Sequence, residues 1–446
     1  MKSIALHNLG CKVNGYEMEV MQQILQEKGY KIVPFDEKAD IYIVNTCTVT
    51  NVADQKSRQM LHRARKKNPD AVVVAAGCYV QTGEEKIAED LAVDLVIGNN
   101  RKKDVAEILE NYLAARKKET LPETDRTLRS QTVIDISHTK EYEEMKLSGT
   151  GGHTRAYVKI QDGCNQFCSY CIIPYARGRV RSRMEEDILT EVHGLVRSGY
   201  QEIVLTGIHI SSYGADRGGT ELLRLLAKLN AIEGLKRIRL GSLEPGIVTE
   251  EFAQKLSGFS SVCPHFHLSL QSGCDETLRR MNRRYTTGEY LEKVEILRKY
   301  FDRPAVTTDV IVGFPGETEA EFEATEAFLE KVHFYEMHIF KYSIREGTKA
   351  AAMSEQVPES VKTERSAVLL ELEKQMSKEF REYYLGRQVT ALMEEVSVIN
   401  GRKYFTGYTK EYVKVAVETE EDLTNRFVTG TLKEQLTEDV YLLVEF

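Results

Sequence analysis

In the first part of the chain, short apolar runs alternate with stretches that repeat apolar residues at helical spacing. The runs SIALHNLG, DIYIVNT, AVVVAAG and DLVIG predict strands. The stretches between and after them predict helices at 16–28, 53–67, 84–91 and 103–115. This βα rhythm is typical of a parallel sheet covered by helices. We therefore expect an open parallel α/β domain over residues 1–114, followed by a polar linker at 115–146.

A second βα series follows the linker. The runs AYVKIQ, EIVLTGI, RIRLGS, HFHLSL, AVTTDVIVGF and EMHIFKYS predict six strands with helices between them. Six such units favour a partial or complete βα barrel, which we place at 147–375 together with most of a long charged helix at 359–384. From residue 378 to residue 446, Val, Thr and Tyr alternate between glycine-marked turns, which predicts a small all-β barrel.

Composition excludes several classes of protein. Of 446 residues, 42% are hydrophobic and 29% are charged, as in globular proteins that bury several cores. No apolar run reaches the roughly 18 residues of a membrane span, and the apolar run at the N-terminus is too short for a secretory signal. We therefore expect a reducing, cytoplasmic compartment and no membrane partner. Eight cysteines in such a compartment favour metal or redox chemistry over disulfides.

The net charge of −8 argues against a general nucleic-acid coat protein, but three basic runs stand out. Residues 55–67 hold six Lys or Arg and no acid. The other two runs are Arg177, Arg179, Arg181 and Arg183, and then Arg279, Arg280, Arg283 and Arg284. Each run alone is typical of a solvated face, whereas three runs in one acidic chain favour a polyanionic partner.

The sharpest motif is the CxxxCxxC spacing of Cys164, Cys168 and Cys171, directly after the first strand of the second series. Three thiolates in one loop can hold three corners of a 4Fe-4S cube and leave one iron open to a ligand. Zinc is the alternative. Zinc sites usually close with four ligands, and no second CxxC pair follows, so iron–sulfur is the better interpretation.

Three further cysteines each follow a predicted strand of the first domain: Cys11, Cys47 and Cys78. The carboxyl ends of parallel strands share one sheet edge, where α/β proteins bind ligands. Each cysteine alone is more often a small buried residue. Their repetition at three strand ends favours a second cluster with three protein ligands.

These motifs resemble the radical S-adenosylmethionine (SAM) superfamily in its methylthiotransferase branch. CNQFCSYCIIPYARGRVRSR resembles the cluster loop, and LGCKVNGYE, NTCTVT and AGC resemble the N-terminal domain of that branch. LTGIHISSYG, SLEP, LQSG and TDVIVGFPGET match later core motifs in order. The segment from GRQVTALMEE to GYTKEYVKV resembles the TRAM domain, a small RNA-binding barrel. The resemblance covers nearly the whole chain.

The resemblance implies two 4Fe-4S clusters and SAM as cofactors. SAM would bind the open iron of the Cys164/Cys168/Cys171 cluster, which would cleave it to a 5′-deoxyadenosyl radical. The second cluster would supply sulfur, and a second SAM would methylate it. A low-potential electron donor of flavodoxin or ferredoxin type, a tRNA substrate and no DNA partner are also implied.

Five residues near the predicted barrel mouth are candidates for binding SAM: Gly207, Ser242, Glu244, Gln271 and Asp309. The alternative for about half of them is that they only satisfy strand ends, as Ser and Asp often do.

For the substrate, LGCKVN and NTCTVTNVADQKSR most resemble the subclass that adds methylthio at C2 of N6-threonylcarbamoyladenosine in tRNA. Lys12 beside Cys11 would suit a carboxylate, although a solvent-exposed lysine is the alternative. Isopentenyladenosine in tRNA, a ribosomal protein, another radical SAM RNA-modifying reaction or a non-catalytic iron–sulfur scaffold stay open. The C-terminal segment 387–446 carries seven Lys or Arg against eleven Asp or Glu, so bulk charge cannot bind RNA there. Three alternatives stay open: contact through shape, contact through aromatics such as Tyr404, Phe405, Tyr408 and Tyr412, or no RNA contact at all.

Overall fold

The fold, seen in a computed structural model, consists of a parallel α/β domain, a partial βα barrel and a closed β-barrel. The structure describes residues 2–83, 87, 89–117, 132–149 and 154–446. The α/β fold class predicted from the sequence is confirmed. The helix predicted at 84–91 falls mostly outside the described residues. No helix in the described ranges is long and apolar enough to cross a membrane.

The N-terminal sheet has five parallel strands in the order β2-β1-β3-β4-β5. They are β1 Ser3–Asn8, β2 Lys31–Val33, β3 Ile41–Thr46, β4 Val72–Gly77 and β5 Leu95–Ile97. Helices flank the sheet: α1 Lys12–Glu27, α2 Asn51–Lys67, α3 Cys78–Thr82 and α4 Val105–Lys117. Strands β3 and β4 are buried along their whole length, which explains their continuous apolar runs.

The central domain is an arc of six parallel strands. They are β6 Arg155–Asp162, β8 Glu202–Gly207, β9 Arg237–Leu240, β10 His265–His267, β11 Ala305–Val312 and β12 Glu336–Lys341; the short β7, Arg181–Ser182, runs antiparallel to β6. A parallel bridge between Leu243 and Leu268 joins the two halves of the arc. Within the described ranges β6 and β12 do not pair, so the barrel is partial.

Helices cover the outside of the arc, and polar residues line its inside. The helices are α5 Ile173–Arg177, α6 Glu185–Arg197, α7 Leu222–Asn230, α8 Glu250–Ser257, α9 Asp275–Arg280, α10 Thr287–Tyr300, α11 Glu319–Val332 and α12 Glu359–Glu382. Val306 and Val310 of β11 join the apolar core beneath the helices. Because strand side chains alternate, Thr307 and Asp309 point to the opposite face, the interior that we call the lumen.

The N-terminal domain packs on the barrel at two places. Helix α1 lies along the β6 edge, where the Lys159 ammonium contacts Glu17 at 2.7 Å and the Tyr16 hydroxyl donates to the Met145 carbonyl at 2.5 Å. Beyond β12, the Arg345 guanidinium donates to the side chain of Thr48 at 2.7 Å and pairs with Asp54 at 2.8 Å. These contacts set the sheet edge with the cysteines against the barrel.

The C-terminal domain is a closed barrel in the order β13-β14-β15-β17-β16. Its strands are β13 Gln388–Ile399, β14 Arg402–Tyr408, β15 Lys414–Val417, β16 Phe427–Gln435 and β17 Val440–Val444. The four aromatic residues considered for RNA contact are engaged within the protein. Tyr404 and Phe405 are buried in the barrel. Tyr408 and Tyr412 stack on each other at 4.6 Å and against Arg155 of the central domain.

Candidate active site: two sets of three cysteines

The loop 164–171 leaves β6 through a turn that only glycine allows. Gly163 has φ +73°, and a Cβ on it would lie 1.8 Å from the Arg179 carbonyl oxygen. The Cys164 amide donates to the Gly178 carbonyl at 3.0 Å, which closes the loop at its base. Burial, with the charge of Cys168, raises the pKa of Cys164 to about 11. The three thiols of this loop therefore lie within electrostatic range of one another.

A buried arginine faces this loop. The Arg283 guanidinium donates to Cys168 Sγ at 3.4 Å and to both carboxylate oxygens of Glu244 at 3.0 Å. Burial alone would raise the pKa of Glu244, but hydrogen bonds from His209 and Arg283 hold it below its usual value. Arg283 therefore places a positive charge, partly balanced by Glu244, next to Cys168 Sγ.

Cys11, Cys47 and Cys78 follow β1, β3 and β4, and the structure brings them together at one sheet edge. Gly10 (φ +100°) approaches so closely that a Cβ on it would lie 2.9 Å from Cys47 Sγ. Burial, with the charges of Cys78 and Cys11, raises the pKa of Cys47 to about 11. Cys47 and Cys78 are buried, whereas Cys11 is exposed to the space between the two domains.

Arg177 joins the two sets of cysteines. It ends helix α5, which begins two residues after Cys171, and its Nε donates to Cys78 Sγ at 3.2 Å. The same guanidinium bonds to Glu17 at 2.5 Å and to the Asn14 side chain at 2.5 Å. Burial alone would lower the pKa of Arg177, but the charges of Cys78, Glu17 and Asp162 hold it well above its usual value.

Both cysteine sets fit an iron–sulfur cluster. Each set offers three thiols from fixed backbone, and each has a buried arginine donating to one sulfur. Asn99 adds a second donor to Cys78 Sγ at 3.5 Å. Such donors stabilise thiolates and the negative charge of a thiolate-bound cluster. Among the described residues no further cysteine joins either set, since Cys263 and Cys274 are buried elsewhere in the barrel.

The candidate SAM residues lie in four different settings. Glu244 lies at the cluster loop, as described above. The backbone of Gln271, with φ +78°, bridges to β11 by accepting from Ile311 and donating to the Asp309 carbonyl at 2.9 Å, so Gln271 and Asp309 are neighbours. Ser242 is exposed and forms no side-chain hydrogen bond to a described residue. Gly207 ends β8, where a Cβ would lie 2.9 Å from Ile210 Cγ2. Its lack of a side chain therefore serves internal packing.

Asp309 belongs to a cluster on the lumen wall. Its carboxylate lies 3.3 Å from His267 Nε2, and His338 stands opposite it in register on β12. One side-chain atom of each of these three residues lies within 4.8 Å of the others. The His267 and His338 rings stack with centroids 5.9 Å apart. The lumen wall thus carries titratable groups just below the strand ends.

Most arginines in two of the three basic runs are bound within the protein, although Arg279 and Arg284 are exposed. Arg177, Arg181 and Arg183 are fully buried, and only Arg179 of that run is exposed. In the run 279–284, Arg283 is committed to Cys168 and Glu244, and Arg280 pairs with Glu321 at 2.7 Å. The structural roles of Arg177 and Arg283 were not predicted from the sequence. One signal could have indicated the role of Arg177. This arginine follows the loop 164–171 closely and begins a run with arginine at every second position, the spacing of side chains on one face of a strand.

The third run, on helix α2, is partly free. Arg65 pairs with Asp94 at 2.5 Å and caps backbone carbonyls, and Arg63 pairs with Asp36. Lys56 and Lys66 are exposed and form no ion pair with a described residue. Since α2 starts four residues after Cys47, this surface lies on the domain that holds the strand-end cysteines.

The charges at the start of the barrel strands concentrate around Lys12. Desolvation by the surrounding protein, followed by the positive charges of Arg155 and Arg239, lowers the pKa of Lys12, although part of its side chain stays accessible to solvent. Burial and the charges of Arg239 and Lys12 hold the pKa of His265 well below its usual value. Lys12, the first residue of α1, thus reaches from the cysteine edge into the lumen.

The partial βα barrel and the cysteine loop after its first strand define a radical SAM enzyme. Residues 158–329 match the model of the Radical SAM superfamily, and residues 3–98 match that of the Uncharacterized protein family UPF0004. In structure, the chain is similar to the radical S-adenosylmethionine methyltransferase TsrM from Kitasatospora setae. The TM-score is 0.59 at 17% identity, covering 78% of this chain and 77% of the other. That likeness concerns the fold alone.

Sequence relatives narrow the class. The chain is 41% identical to the threonylcarbamoyladenosine tRNA methylthiotransferase MtaB of Bacillus subtilis (strain 168), over 96% of this chain and 93% of the relative. It is 36% identical to the tRNA-2-methylthio-N(6)-dimethylallyladenosine synthase of Moorella thermoacetica, over 96% and 95%. The chain belongs to the radical SAM methylthiotransferase family. It is therefore an enzyme, and its superfamily uses SAM and a 4Fe-4S cluster.

Proposed function

We propose that this enzyme adds a methylthio group at C2 of N6-threonylcarbamoyladenosine in tRNA, next to the anticodon. The observation that carries the proposal is the full-length similarity to relatives of that name. These relatives match at 41%, 38% and 37% identity over more than 90% of this chain. Relatives named for dimethylallyladenosine follow at 36% and 37%, so that modified base is the alternative substrate.

Within this proposal, Cys164, Cys168 and Cys171 hold the cluster that binds SAM, and Cys11, Cys47 and Cys78 hold a second 4Fe-4S cluster. When bound, these groups supply an electron that cleaves one SAM, a 5′-deoxyadenosyl group that carries off the C2 hydrogen, a sulfur atom from the second cluster and a methyl group from another SAM. Arg283 and Arg177 balance the negative charge of the two cysteine sets, because each donates to one thiol. Gly207, Ser242, Glu244, Gln271 and Asp309 are proposed to position SAM.

The protein itself contributes by positioning the two cysteine sets and by excluding water from the space between them. Helix α3, which starts at Cys78, lies against α5, and Asn99 ties the two domains by donating to the Ala176 carbonyl at 2.7 Å. These contacts support a space shared by the two cysteine sets, in which the protein would shield the reacting groups from water. The substrate base must enter this space with its C2 carbon between the two sets.

The remaining assignments belong to the same proposal. We take residues 1–114 as the methylthiotransferase N-terminal domain, 115–146 as a linker, 147–375 as the radical SAM core and 378–446 as a TRAM-like domain. A flavodoxin- or ferredoxin-type protein donates electrons, and the enzyme works in the cytoplasm, where tRNA is found. The exposed lysines of α2 contact tRNA phosphates.

The test is anaerobic turnover with dithionite, SAM and tRNA transcripts that carry either threonylcarbamoyladenosine or dimethylallyladenosine. Nucleoside mass spectrometry should show the 2-methylthio product only from the first tRNA. A product from the second tRNA alone would replace the proposal with its alternative. Absence of both products from enzyme with a full complement of iron would overturn both.

A further inference from the structure

Lys12 reaches the lumen, where part of its side chain is accessible to solvent and its ammonium forms no ion pair with a described residue. Two of the charges that act on it, those of Arg155 and Arg239, are positive as well. A lysine in such surroundings lowers its electrostatic energy by binding an anion.

The neighbouring arginines cannot serve this purpose, because both are fixed in the wall. Arg239 donates to Glu202 at 2.6 Å and to two backbone carbonyls of the C-terminal barrel. Arg155 pairs with Glu394 and donates to the Tyr412 hydroxyl at 2.8 Å. They therefore add positive potential behind Lys12 while their donors are used.

The position of Lys12 relates it to the reacting atoms. It follows Cys11 directly, and both side chains are exposed in the space between the N-terminal sheet and the barrel. In adenine, N1 separates C2 from the carbon that bears N6. A base with C2 close to the cysteines therefore carries its N6 substituent only a few bonds away, within reach of a residue beside Cys11.

We propose that the Lys12 ammonium binds the threonyl carboxylate of the substrate and so selects it over a base with an apolar N6 substituent. This inference rests on the proposed function. It adds the residue that recognises the anionic group. A charge-assisted hydrogen bond from lysine to carboxylate would form inside the lumen, on the side where the positive charges of Arg155 and Arg239 support it.

The experiment uses the full-length, iron-loaded enzyme and two substrates, tRNA carrying threonylcarbamoyladenosine and the same tRNA with the threonyl carboxylate converted to its methyl ester. The variants are Lys12→Gln, Lys12→Met and Lys12→Arg. Lys28→Gln, an exposed lysine at the other end of α1, is the matched control. Iron and sulfide content is measured for every protein.

For the wild type we expect kcat/KM to fall about 10- to 100-fold from the acid to the ester. For Lys12→Gln and Lys12→Met, kcat/KM should fall by about the same factor on the acid and stay almost unchanged on the ester. Lys12→Arg should keep most of the wild-type preference for the acid over the ester. The inference is overturned if the wild type uses acid and ester equally. It is also overturned if an iron-replete Lys12→Gln or Lys12→Met loses the same factor on both substrates or on neither.

If both neutral variants lose iron, two measurements still test the inference. They are the wild-type comparison of acid with ester and the same comparison for Lys12→Arg. A wild type that discriminates together with an iron-replete Lys12→Arg that does so too supports the contact. An arginine variant without the preference overturns it. Failure of the proposed function gives a different result, namely a wild type that modifies dimethylallyladenosine and neither threonylcarbamoyl substrate.

Discussion

Arg177 Nε lies 3.2 Å from Cys78 Sγ, so a residue of the barrel donates directly to a cysteine of the N-terminal domain. Around this contact five charged side chains are buried together: Glu17, Lys102, Lys159, Asp162 and Arg177. The geometry of the set Cys11, Cys47 and Cys78 therefore depends on Arg177, which follows the loop of the other set in sequence.

Replacing Arg177 by Met should destabilise the domain interface. It removes a buried partner of Glu17 and Asp162, and breaking a buried ion pair from one side costs about 3 kcal/mol or more. Thermal unfolding followed by circular dichroism should show a lower melting temperature than for the wild type and for the control Arg179→Met, whose exposed arginine stacks on Phe167. Equal melting temperatures for the two variants would contradict this account.

If both cysteine sets hold 4Fe-4S clusters, anaerobic reconstitution should give about eight iron and eight sulfide per chain. Changing Cys164, Cys168 and Cys171 together to Ala should reduce both to about half, because the strand-end set is a separate site on another domain. Metal analysis by mass spectrometry provides the measurement. Wild-type iron fixed near half that value, with zinc present, would argue for a single cluster.

The two sets should also differ in their effect on the reaction. Cys168→Ala should abolish both 5′-deoxyadenosine and the methylthio nucleoside, since it removes a proposed ligand of the SAM-binding cluster. Cys47→Ala should keep part of the SAM cleavage and give no methylthio product, since the loop 164–171 is unchanged. Both products are read by mass spectrometry after anaerobic turnover. Normal sulfur insertion by Cys47→Ala would mean that the set Cys11, Cys47 and Cys78 does not donate the sulfur.

Helix α2 provides a test of the tRNA contact. Lys56→Glu with Lys66→Glu should weaken tRNA binding and reduce the slope of log K against log salt by about two, one for each lost phosphate contact. The control is Lys331→Glu on α11, another exposed lysine without an ion pair among the described residues. Binding is measured by filter retention across a salt series. Unchanged affinity and slope in the double variant would mark α2 as an ordinary solvated surface.

Much of the fold could be predicted from the sequence because strands buried on both faces carry long apolar runs. Strand β2, Lys31–Val33, was missed because it is a short, partly exposed edge strand. Helix α1 begins at Lys12, four residues before its predicted start, because Cys11 adopts extended backbone at its N-cap. Periodicity locates the apolar face of a helix but not the residue at which its backbone turns helical.

At the site, strand-end positions correctly suggested that distant cysteines approach one another. The burial of Arg177, Arg181 and Arg183 could not be foreseen, since their acidic partners lie far away in the sequence. Arg183 pairs with Glu191 and Arg177 with Glu17. A run of arginines has the same composition whether it faces phosphates or internal carboxylates, and only the tertiary fold distinguishes the two cases.

Tyr412 has a consequence for engineering this enzyme. Its ring lies 5.0 Å from the ring of His265, and its hydroxyl accepts a hydrogen bond from Arg155, so the C-terminal barrel covers the end of the lumen at which the barrel strands begin. Deleting that barrel would admit bulk water to this end of the lumen. A chimera with the C-terminal domain of a relative would therefore need side chains that fill the same space as Tyr412. The domain is thus not an interchangeable RNA-binding module.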